Sequence, residues 1–390
     1  MEEAPNKFSS LIEAFGQVKD PRIERSKLHP LIEILFLTVS AVISGIECWE
    51  EIEDFGYEKL EWLRKYLPYE NGIPSHDTIN RVLSIINQRA FEQCFIDWAT
   101  MSLTLPQGTV ISIDGKRLRG SATKKQQQLP RDQGGKGAIH LLHAWCHELQ
   151  MCLAQYQVDG KTNEIKAIPE LLEFLDIEGC LISIDSIGCQ KAIARQIVDE
   201  KADYLFGLKD NQEKLYIGAF EAFESDEDKK AETGRDEQKS PKNDHGRKET
   251  RVCRVLPKDS LPPDAGADQW PGLKTIIEIQ AERHVIASGR IEREIRYYIS
   301  SLDVDASAFN KLIRSHWNVE NQLHWTLDVL FGEDASRKRK GNAAQNFSTI
   351  LKMAINLIKA NPEKISVNRK RHKCAFSNDY RSKTNTGVMM

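Results

Sequence analysis

The sequence predicts an α/β protein: a mixed sheet with flanking helices, preceded by a helical N-terminal domain and interrupted by a β-containing insertion. Between residues 8 and 104, apolar residues recur at helical spacing. From Thr109, short apolar runs typical of strands alternate with amphipathic segments. After Lys209 this alternation stops, and strand-like runs return only beyond a long charged stretch.

The N-terminal helices are predicted from "SSLIEAFGQV", "HPLIEILFLTVSAVISGI", "WEEIEDFGYEKLEWLRKYL" and "RAFEQCFIDWATMSL". In "GIPSHDTINRVLSII" a loop leads into a further helix, which Ser75 or Asp77 could cap with a side-chain oxygen. Trp49, Trp62 and Trp98 are interpreted as core residues. These segments predict a small helical domain.

The next segments predict the sheet. "TVISID", "AIHLLHAWCHE" and "MCLAQYQV" are interpreted as strands, and the last two are joined by a tight connection. The helix "NEIKAIPELLEFL", the strand "CLISID", the helix "CQKAIARQIVDEKA" and the strand "DYLFGL" follow. An antiparallel hairpin followed by alternating helices and strands indicates a mixed sheet with helices on its faces.

Two aspartates occupy matching places in this order. Asp114 is predicted to end the first strand and Asp185 the fourth. If these strands are adjacent and parallel, both carboxylates emerge at the sheet edge where open α/β sheets place their ligands. Either residue alone could simply cap the following helix, but the pair favours a site. Both stay ionised only with a cation between them, and carboxylate oxygens suit Mg²⁺ or Mn²⁺.

A third carboxylate is sought downstream because phosphodiester chemistry with two ions needs one. Within "IRSHWNVENQLHW", His316, Glu320 and His324 fall four residues apart and share a helical face. The segment could be a His/Glu metal site, an ordinary packed helix, or the source of Glu320 as third carboxylate, with Arg314 and His316 on phosphates. The last interpretation is favoured because it completes an acidic triad.

Charge is unevenly distributed along the chain. The net charge is −3, so nucleic-acid binding can rest only on local basic segments. The segment from Gly115 carries one acid, Asp132, among seven basic residues: Lys116, Arg117, Arg119, Lys124, Lys125, Arg131 and Lys136. "RKRK" at 337–340 and "NRKRHK" at 368–373 are further basic runs. One run would be a solvated surface; three favour a phosphate-binding surface.

Composition narrows the class further. The eight cysteines form no CxxC pair, which predicts reduced core residues and no zinc site. We expect no membrane helix, because the most apolar stretch, from Leu31, is short and contains Glu33. The N-terminus "MEEAPNKFSS" lacks the pattern of an export signal, which predicts a cytoplasmic protein. Residues 224–249 are charged and predict a mobile loop, followed by the strands "TRVCRVL", "LKTIIEIQAERHV" and "REIRYYISSL".

Several of these blocks together resemble a known family. They are "SIDGKRLRGS", "KTNEIKAIPELL", "SIDSIGCQKAIA", "DYLFGLKDNQ", "RYYISSL" and "IRSHWNVENQLHWTLDVLFGEDASR". In this order they resemble the H-repeat-associated transposases, a branch of the bacterial DDE insertion-sequence transposases. "DPRIERSKLHPLIEIL" and "GIPSHDTINRV" are similar to the associated domain that precedes the catalytic core. The resemblance extends over roughly residues 10–360.

The resemblance implies an RNase H-like core with an insertion between the second Asp and the Glu. The expected organisation is a helical associated domain at 1–104, the first part of the core at 105–209, the insertion at 210–302, the signature helix and end of the core at 303–362, and a polar, basic tail at 363–390. It also implies that Asp114, Asp185 and Glu320 hold two Mg²⁺ or Mn²⁺ ions for cleavage and strand transfer at element ends in double-stranded DNA.

Partners and supporting residues follow from the same resemblance. A homodimer on DNA is expected, in the cytoplasm with the nucleoid and without a membrane partner. The residues expected to contact DNA are Lys116, Arg117, Arg119, Lys209, Arg314, His316 and Asn321, and Asp328 supports the signature helix.

The sequence departs from related transposases at two positions. Their Tyr, Arg, Glu, Lys signature has an Arg four residues before the Glu and a Lys seven after it, where this chain has His316 and Leu327. The end of the chain is also less similar to the family. Two alternatives to an active transposase therefore stay open: a DNA-binding relic that does not transpose, and a stand-alone metal-dependent nuclease of similar fold.

Overall fold

The N-terminal part of the chain is helical, as predicted. The computed structural model describes residues 7–101, 103, 105–128, 137–158, 164–225, 234–239 and 247–386. Five helices precede the sheet: α1 (Lys7–Gln17), α2 (Leu31–Ile43), α3 (Trp49–Leu63), α4 (His76–Ile85) and α5 (Gln88–Thr100). Of the two predicted caps, Ser75 is the one observed, since its side chain accepts a hydrogen bond from the backbone N–H of Thr78.

Helix α2 is the central helix of this part. Of its 13 residues, all but Ile32 are buried. Glu33 is buried with them, and its carboxylate accepts a hydrogen bond from the backbone N–H of Tyr69 at 2.7 Å. The stretch Glu24–Ile43 is long and apolar enough to cross a membrane, yet 67% of it is buried inside the protein. Its apolar side chains thus serve largely to pack the core.

The predicted order of strands and helices in the core is confirmed. After β1 (Val110–Leu118) and the short α6 (Lys124–Gln128) come β2 (Ile139–Cys146), β3 (Met151–Val158), α7 (Glu164–Leu172), β4 (Leu181–Ile184), α8 (Lys191–Asp199) and β5 (Asp203–Leu208). Strands β1, β2 and β3 are antiparallel neighbours, whereas β1, β4 and β5 run parallel. The order β3-β2-β1-β4-β5 is that of an RNase H-like sheet, which confirms the predicted fold class.

The insertion continues this sheet. Helix α9 (Glu213–Ser225) is followed by β6 (Gly234–Lys239), β7 (Arg247–Pro257), β8 (Thr275–Val285) and β9 (Arg290–Ser300). Strand β9 pairs antiparallel with β5, so one nine-stranded sheet results, in the order β3-β2-β1-β4-β5-β9-β8-β7-β6. The predicted loop over residues 224–249 is wrong where β6 and the start of β7 lie; residues 226–233 and 240–246 of it lie outside the described residues.

Helices cover both faces of the sheet. On one face, α7, α8 and α9 pack on residues such as Ile113, Ile184 and Phe206. On the other face, α10 (Ala306–His316) packs through Phe309 and Ile313 on the strands of the core and the insertion. The eight cysteines are free thiols, as predicted, and all except Cys48 are buried.

The chain after α10 joins the sheet to the N-terminal helices. A π-helical segment (Val319–His324) leads into α11 (Trp325–Val329), α12 (Ala343–Ala360), α13 (Val367–Phe376) and α14 (Asn378–Thr386). Helix α12 packs against α2, α4, α5 and β3, and it shares a hydrophobic core with the N-terminal helices. The π-helical turn interrupts what the sequence predicts as one continuous helix.

Helices α13 and α14 lie where the sequence predicts a polar, basic tail at 363–390. Arg371 donates hydrogen bonds to Glu47 and to the carbonyl of Leu330, and Arg381 is fully buried, with its guanidinium 4.6 Å from the ring centre of Trp62. The basic run "NRKRHK" therefore contributes Lys370 and Arg371 to the interior. The expectation that this run belongs to a phosphate-binding surface is wrong for these two side chains.

Candidate active site

Asp114 lies in the middle of β1, opposite His143 of β2. The prediction that the strand ends at this residue is wrong, because Gly115 to Leu118 continue the pairing with β2. The Asp114 side chain is only 18% exposed, and Oδ1 accepts a hydrogen bond from the backbone N–H of Gly115 at 2.8 Å. The pairing of β1 with β4 ends at Ile113, so this nearly buried carboxylate is fixed one residue beyond the end of that pairing.

Asp185 directly follows β4. The parallel pairing of β1 with β4 ends with Ile113 opposite Ile184, so Asp114 and Asp185 are the next residues of adjacent strands. The Asp185 side chain also accepts a hydrogen bond from the backbone N–H of Ile187 at 3.0 Å, which caps a short 3₁₀ turn. Of the two interpretations of this residue from the sequence, the cap is observed, and its position leaves the site interpretation as a prediction.

Glu320 approaches from the opposite end of the chain. It lies on the π-helical segment and its side chain is exposed. Together with Asp114 and Asp185 it lines a cavity of about 590 Å³, which we call the acidic pocket; Ser183, Lys209 and His316 line it too. π-Helical turns occur frequently at functional sites. Three carboxylates from three distant segments thus meet at one pocket, as the sequence predicts.

The carboxylates perturb one another electrostatically. The pKa of Asp114 is raised to about 7, mainly by burial and also by the nearby charges of Asp185, Glu320 and Glu164, while the hydrogen bond from the N–H of Gly115 lowers it. Burial also raises the pKa of Asp185, with Glu164 as the next contributor. A divalent cation would relieve this repulsion. Among the described residues, no three His, Cys, Asp or Glu side chains are already arranged to hold a metal ion.

Glu164 is a fourth carboxylate at this site. It is the first residue of α7, and its Oε1 lies 2.8 Å from Nε2 of His140. Both side chains cover Gly115, where an added Cβ would lie 2.6 Å from each of them. A larger residue after Asp114 would therefore have to displace the ends of the Glu164 and His140 side chains. The sequence block "KTNEIKAIPELL" contains Glu164, but only the fold shows that the start of α7 reaches the strand of Asp114.

Two histidines stand behind Asp114. Nδ1 of His324 lies 3.4 Å from Oδ2 of Asp114, and its Nε2 lies 3.0 Å from Nδ1 of the buried His143. Burial lowers the pKa of His324 to about 3, so the ring is neutral. A neutral ring that donates from Nδ1 to Asp114 can accept at Nε2 from His143. His324 thus lies between Asp114 and His143.

His316 also enters the pocket as a neutral ring. Its Nδ1 lies 2.9 Å from Oγ of Ser183 in β4, and burial lowers its pKa to about 4. A charge attraction between His316 and phosphate is therefore not available at neutral pH. The predicted phosphate contact of His316 is limited to a hydrogen bond from an uncharged imidazole.

Lys116 is not placed as the sequence predicts. It is 7% exposed, and its ammonium donates to Asp328 and, at 2.6 Å, to Glu333. Glu333 also accepts from the fully buried Lys352 of α12. We call Lys116, Glu333 and Lys352 the buried charge cluster. Because the ammonium is satisfied inside the protein, the predicted phosphate contact of Lys116 is wrong in this structure.

The other predicted DNA contacts are exposed around the acidic residues. Arg117 and Arg119 lie with Asp114 and Glu320 in a second cleft, and Arg119 pairs with Asp334 at 3.3 Å. Lys209 follows β5 beside Asp185, and Arg314 and Asn321 lie on the other side of Glu320. Nothing in these positions excludes the predicted contacts. Arg131, Lys136 and the side chain of Lys124 lie outside the described residues.

Two further sequence features have structural roles. Leu327, at the position of the family's signature lysine, is fully buried in the core with α12 and the N-terminal helices. Within "RKRK", Lys338 donates to the carbonyl of Glu47 and Arg339 to the carbonyl of Gly120. This basic run therefore ties the loop after α11 to the rest of the protein.

Comparisons with known proteins identify the family of this chain. A family model described as "Transposase DDE domain" matches residues 105–357, and one described as "DDE_Tnp_1-associated" matches residues 12–99. "Putative transposase YncI" of Escherichia coli O157:H7 is 44% identical over 96% of this chain and 93% of its own length. "H repeat-associated putative transposase YhhI" of Escherichia coli strain K12 is 41% identical over 96% of this chain and 97% of its own.

Among solved structures, a piggyBac transposase synaptic complex with hairpin DNA aligns with 97% of this chain and 78% of its own, at 12% identity and a TM-score of 0.45. The family match extends over more than half of the chain, and the named relatives match nearly all of it. The chain therefore belongs to the DDE transposase family, in the H-repeat-associated branch that its sequence predicts.

Proposed function

We propose that this transposase cuts phosphodiester bonds at the ends of an insertion sequence and joins the freed ends to target DNA, with Asp114, Asp185 and Glu320 as its catalytic carboxylates. The observation that carries this proposal is the acidic pocket, because residues separated by 71 and 135 positions line one cavity. The charges of Asp185 and Glu320 raise the pKa of Asp114 in addition to burial, which fits a site built to take up cations.

The three carboxylates fit divalent metal ions. Their oxygens are the hard ligands that Mg²⁺ and Mn²⁺ prefer. The charges of Asp185, Glu320 and Glu164 add to burial in raising the pKa of Asp114, which supports a site for cations. We propose that Asp114, Asp185 and Glu320 hold two such ions, which when bound activate the attacking oxygen and stabilise the leaving oxygen. Glu164 and His324 orient the site from behind: Glu164 covers Gly115, and His324 faces Asp114.

The exposed basic residues would hold the DNA. Arg117, Arg119, Lys209 and Arg314 surround the carboxylates without occupying the acidic centre, and Asn321 offers an uncharged amide beside them. The net charge of −3 means that binding must depend on this local arrangement. We further propose that two copies act together, since two element ends must be held for joining, and that the protein works at the nucleoid in the cytoplasm.

The test is a cleavage and joining assay with the purified protein. The substrate is a labelled duplex that carries the DNA flanking the gene, with Mg²⁺ or Mn²⁺. We expect metal-dependent nicking and joining by the wild type and a loss of at least about a hundredfold in Glu320→Gln. Glu292→Gln is the matched control, because it makes the same chemical change at the exposed end of the β8–β9 hairpin.

Each outcome assigns a function. Cleavage without joining would identify a nuclease, and binding without cleavage by the wild type would identify a relic. Equal activity in the wild type and Glu320→Gln would contradict the assignment of Glu320.

A further inference from the structure

A groove of about 600 Å³ lies on the insertion sheet beside α10. Four arginines line it, together with Trp317 and two carboxylates, and it ends at Glu320 of the acidic pocket. We call it the arginine groove. Its arginines are Arg251 of β7, Arg283 of β8, Arg296 of β9 and Arg314 of α10. The groove and the acidic pocket are continuous, because Glu320 lines both.

The two carboxylates in the groove already have arginine partners. Oε1 of Glu249 lies 3.2 Å from Nε of Arg283, and its Oε2 lies 3.9 Å from Arg314. Oε1 of Glu294 accepts from Nε of Arg296 at 2.6 Å, and the Arg296 guanidinium lies 4.5 Å from the ring centre of Trp317. Three of the four arginines are thus compensated by charge or by an aromatic ring.

Arg251 differs from the other three. It is 7% exposed, and in the described part of the chain its guanidinium forms no hydrogen bond or ion pair; its buried Nε has no acceptor. Burial lowers its pKa and the charge of Arg314 acts in the same direction, whereas the nearby Tyr298 and Glu249 raise it. A buried guanidinium is normally paired, because leaving it without an acceptor is costly. The groove therefore contains a buried guanidinium that has no directly bonded acceptor among the described residues, although the charge of Glu249 is near it.

We propose that Arg251, with Arg314 beside it, binds a backbone phosphate of the DNA strand that leads into the acidic pocket. The ligand class follows from geometry and from the proposed function, on which this inference rests. A planar guanidinium suits the paired oxygens of a phosphate, and the groove opens directly onto Glu320. The insertion sheet then guides the strand whose phosphodiester bond is cut.

The matched variants are Arg251→Gln and Arg293→Gln. Both remove one guanidinium from the insertion sheet, but Arg293 is exposed and pairs with Glu282 at 2.8 Å, outside the arginine groove. Binding is measured by fluorescence anisotropy of a labelled 40-base-pair duplex of the flanking DNA, in EDTA and over a series of KCl concentrations. Melting temperatures are measured without DNA.

For Arg251→Gln we expect about tenfold weaker binding or more. The slope of log K against log salt should fall by about 1, the change for one lost phosphate contact. The melting temperature should stay the same or rise, because an unpaired buried charge has been removed. Arg293→Gln should match the wild type in all three quantities.

Unchanged binding and slope in Arg251→Gln would overturn the proposal, and so would a melting temperature lowered by more than about 5 °C, which would assign Arg251 a structural role. Binding without cleavage by the wild type would contradict the proposed function alone, and the salt slope would still decide the role of Arg251. If the wild type does not bind the duplex, both are wrong.

Discussion

Glu333 is the carboxylate that holds the buried charge cluster together. It accepts hydrogen bonds from Lys116 of β1, Lys352 of α12 and Ser348 of α12, and only 3% of its side chain is exposed. Replacing it by Gln leaves two buried ammonium groups without their shared anion. Removing one partner of a buried ion pair destabilises a protein by more than the net stability that the whole pair contributes, because the remaining charge stays buried without a partner. We expect Glu333→Gln to destabilise the protein strongly.

The magnitude follows from the pKa of Glu333. Burial alone would raise this pKa, but Lys352 and Lys116 outweigh burial and lower it from 4.5 to about 2. This difference corresponds to about 3 kcal/mol in favour of the folded state with a charged carboxylate. Losses on removing one partner of a buried ion pair are about 3–5 kcal/mol. The two estimates agree.

The sign of the pH dependence is fixed by the same values. A carboxyl whose pKa is lowered in the folded state stabilises it fully above the unfolded pKa, here about 4.5, and loses this effect as the pH falls towards about 2. The difference in unfolding free energy between the wild type and Glu333→Gln should therefore be constant from pH 8 to about pH 5.5. Below pH 4.5 it should shrink.

The assay is urea and thermal unfolding of both proteins between pH 8 and pH 3.5. The control is Glu178→Gln, because the Glu178–Lys201 pair has side chains that are 63% and 72% exposed. Such surface pairs contribute about 0–1 kcal/mol. A loss below about 1 kcal/mol in Glu333→Gln, or a difference that does not change below pH 4.5, would refute the reasoning.

Two further changes test the site and its support. Burial is the main cause that holds the pKa of Asp114 at about 7, above its ordinary 3.8. In metal-free protein the ionisation of Asp114 therefore destabilises the folded state. This destabilisation is absent below pH 3.8 and reaches its full size above pH 7. Asp114→Asn should therefore raise the melting temperature in EDTA at pH 8, with a gain in unfolding free energy of about 4 kcal/mol at most. Near pH 4 the melting temperature should not change. Gly120→Ala should destabilise by about 1–3 kcal/mol in urea unfolding, since its Cβ would lie 2.1 Å from the carbonyl oxygen of Ser336. Gly137→Ala, whose added Cβ meets no atom of the described residues within 4 Å, should be neutral.

The positions of the carboxylates proposed as catalytic could be predicted because their signals are local. Apolar runs that end near Asp114 and Asp185 indicate strands, and the helix between β3 and β4 makes a parallel arrangement of β1 and β4 the natural topology. The end of β1 was missed because Lys116 and Arg117 are charged, whereas strands are usually recognised by apolar residues. Only the pairing of these residues with β2 shows that the strand continues.

The buried charge cluster could not be predicted. Lys116 and Glu333 are 217 positions apart, and no local pattern distinguishes a buried lysine from a solvated one. The same holds for Arg371 and Arg381. They belong to a polar segment that the sequence predicts to be a tail, yet they lie in the interior against a carbonyl oxygen and Trp62. Long polar side chains can be buried wherever the fold supplies their acceptors, and these acceptors come from distant segments.

The π-helical turn was missed for a different reason. Its hydrogen-bond register differs from that of an α-helix by one residue, and the spacing of apolar residues through "NVENQLHW" still resembles a helix. The turn lies where Glu320 faces Asp114 and Asp185 and where His324 reaches Asp114. Sequence periodicity identifies the residues of this segment but not the exact direction of each side chain.

The central claim is that Asp114, Asp185 and Glu320 form one site for divalent ions. The most direct measurement is the anomalous diffraction of crystals soaked in Mn²⁺, compared between the wild type and Asp185→Asn. The account predicts anomalous density between these three carboxylates in the wild type, and weaker density or none in the variant. Density at other residues only, or equal density in both crystals, would contradict it.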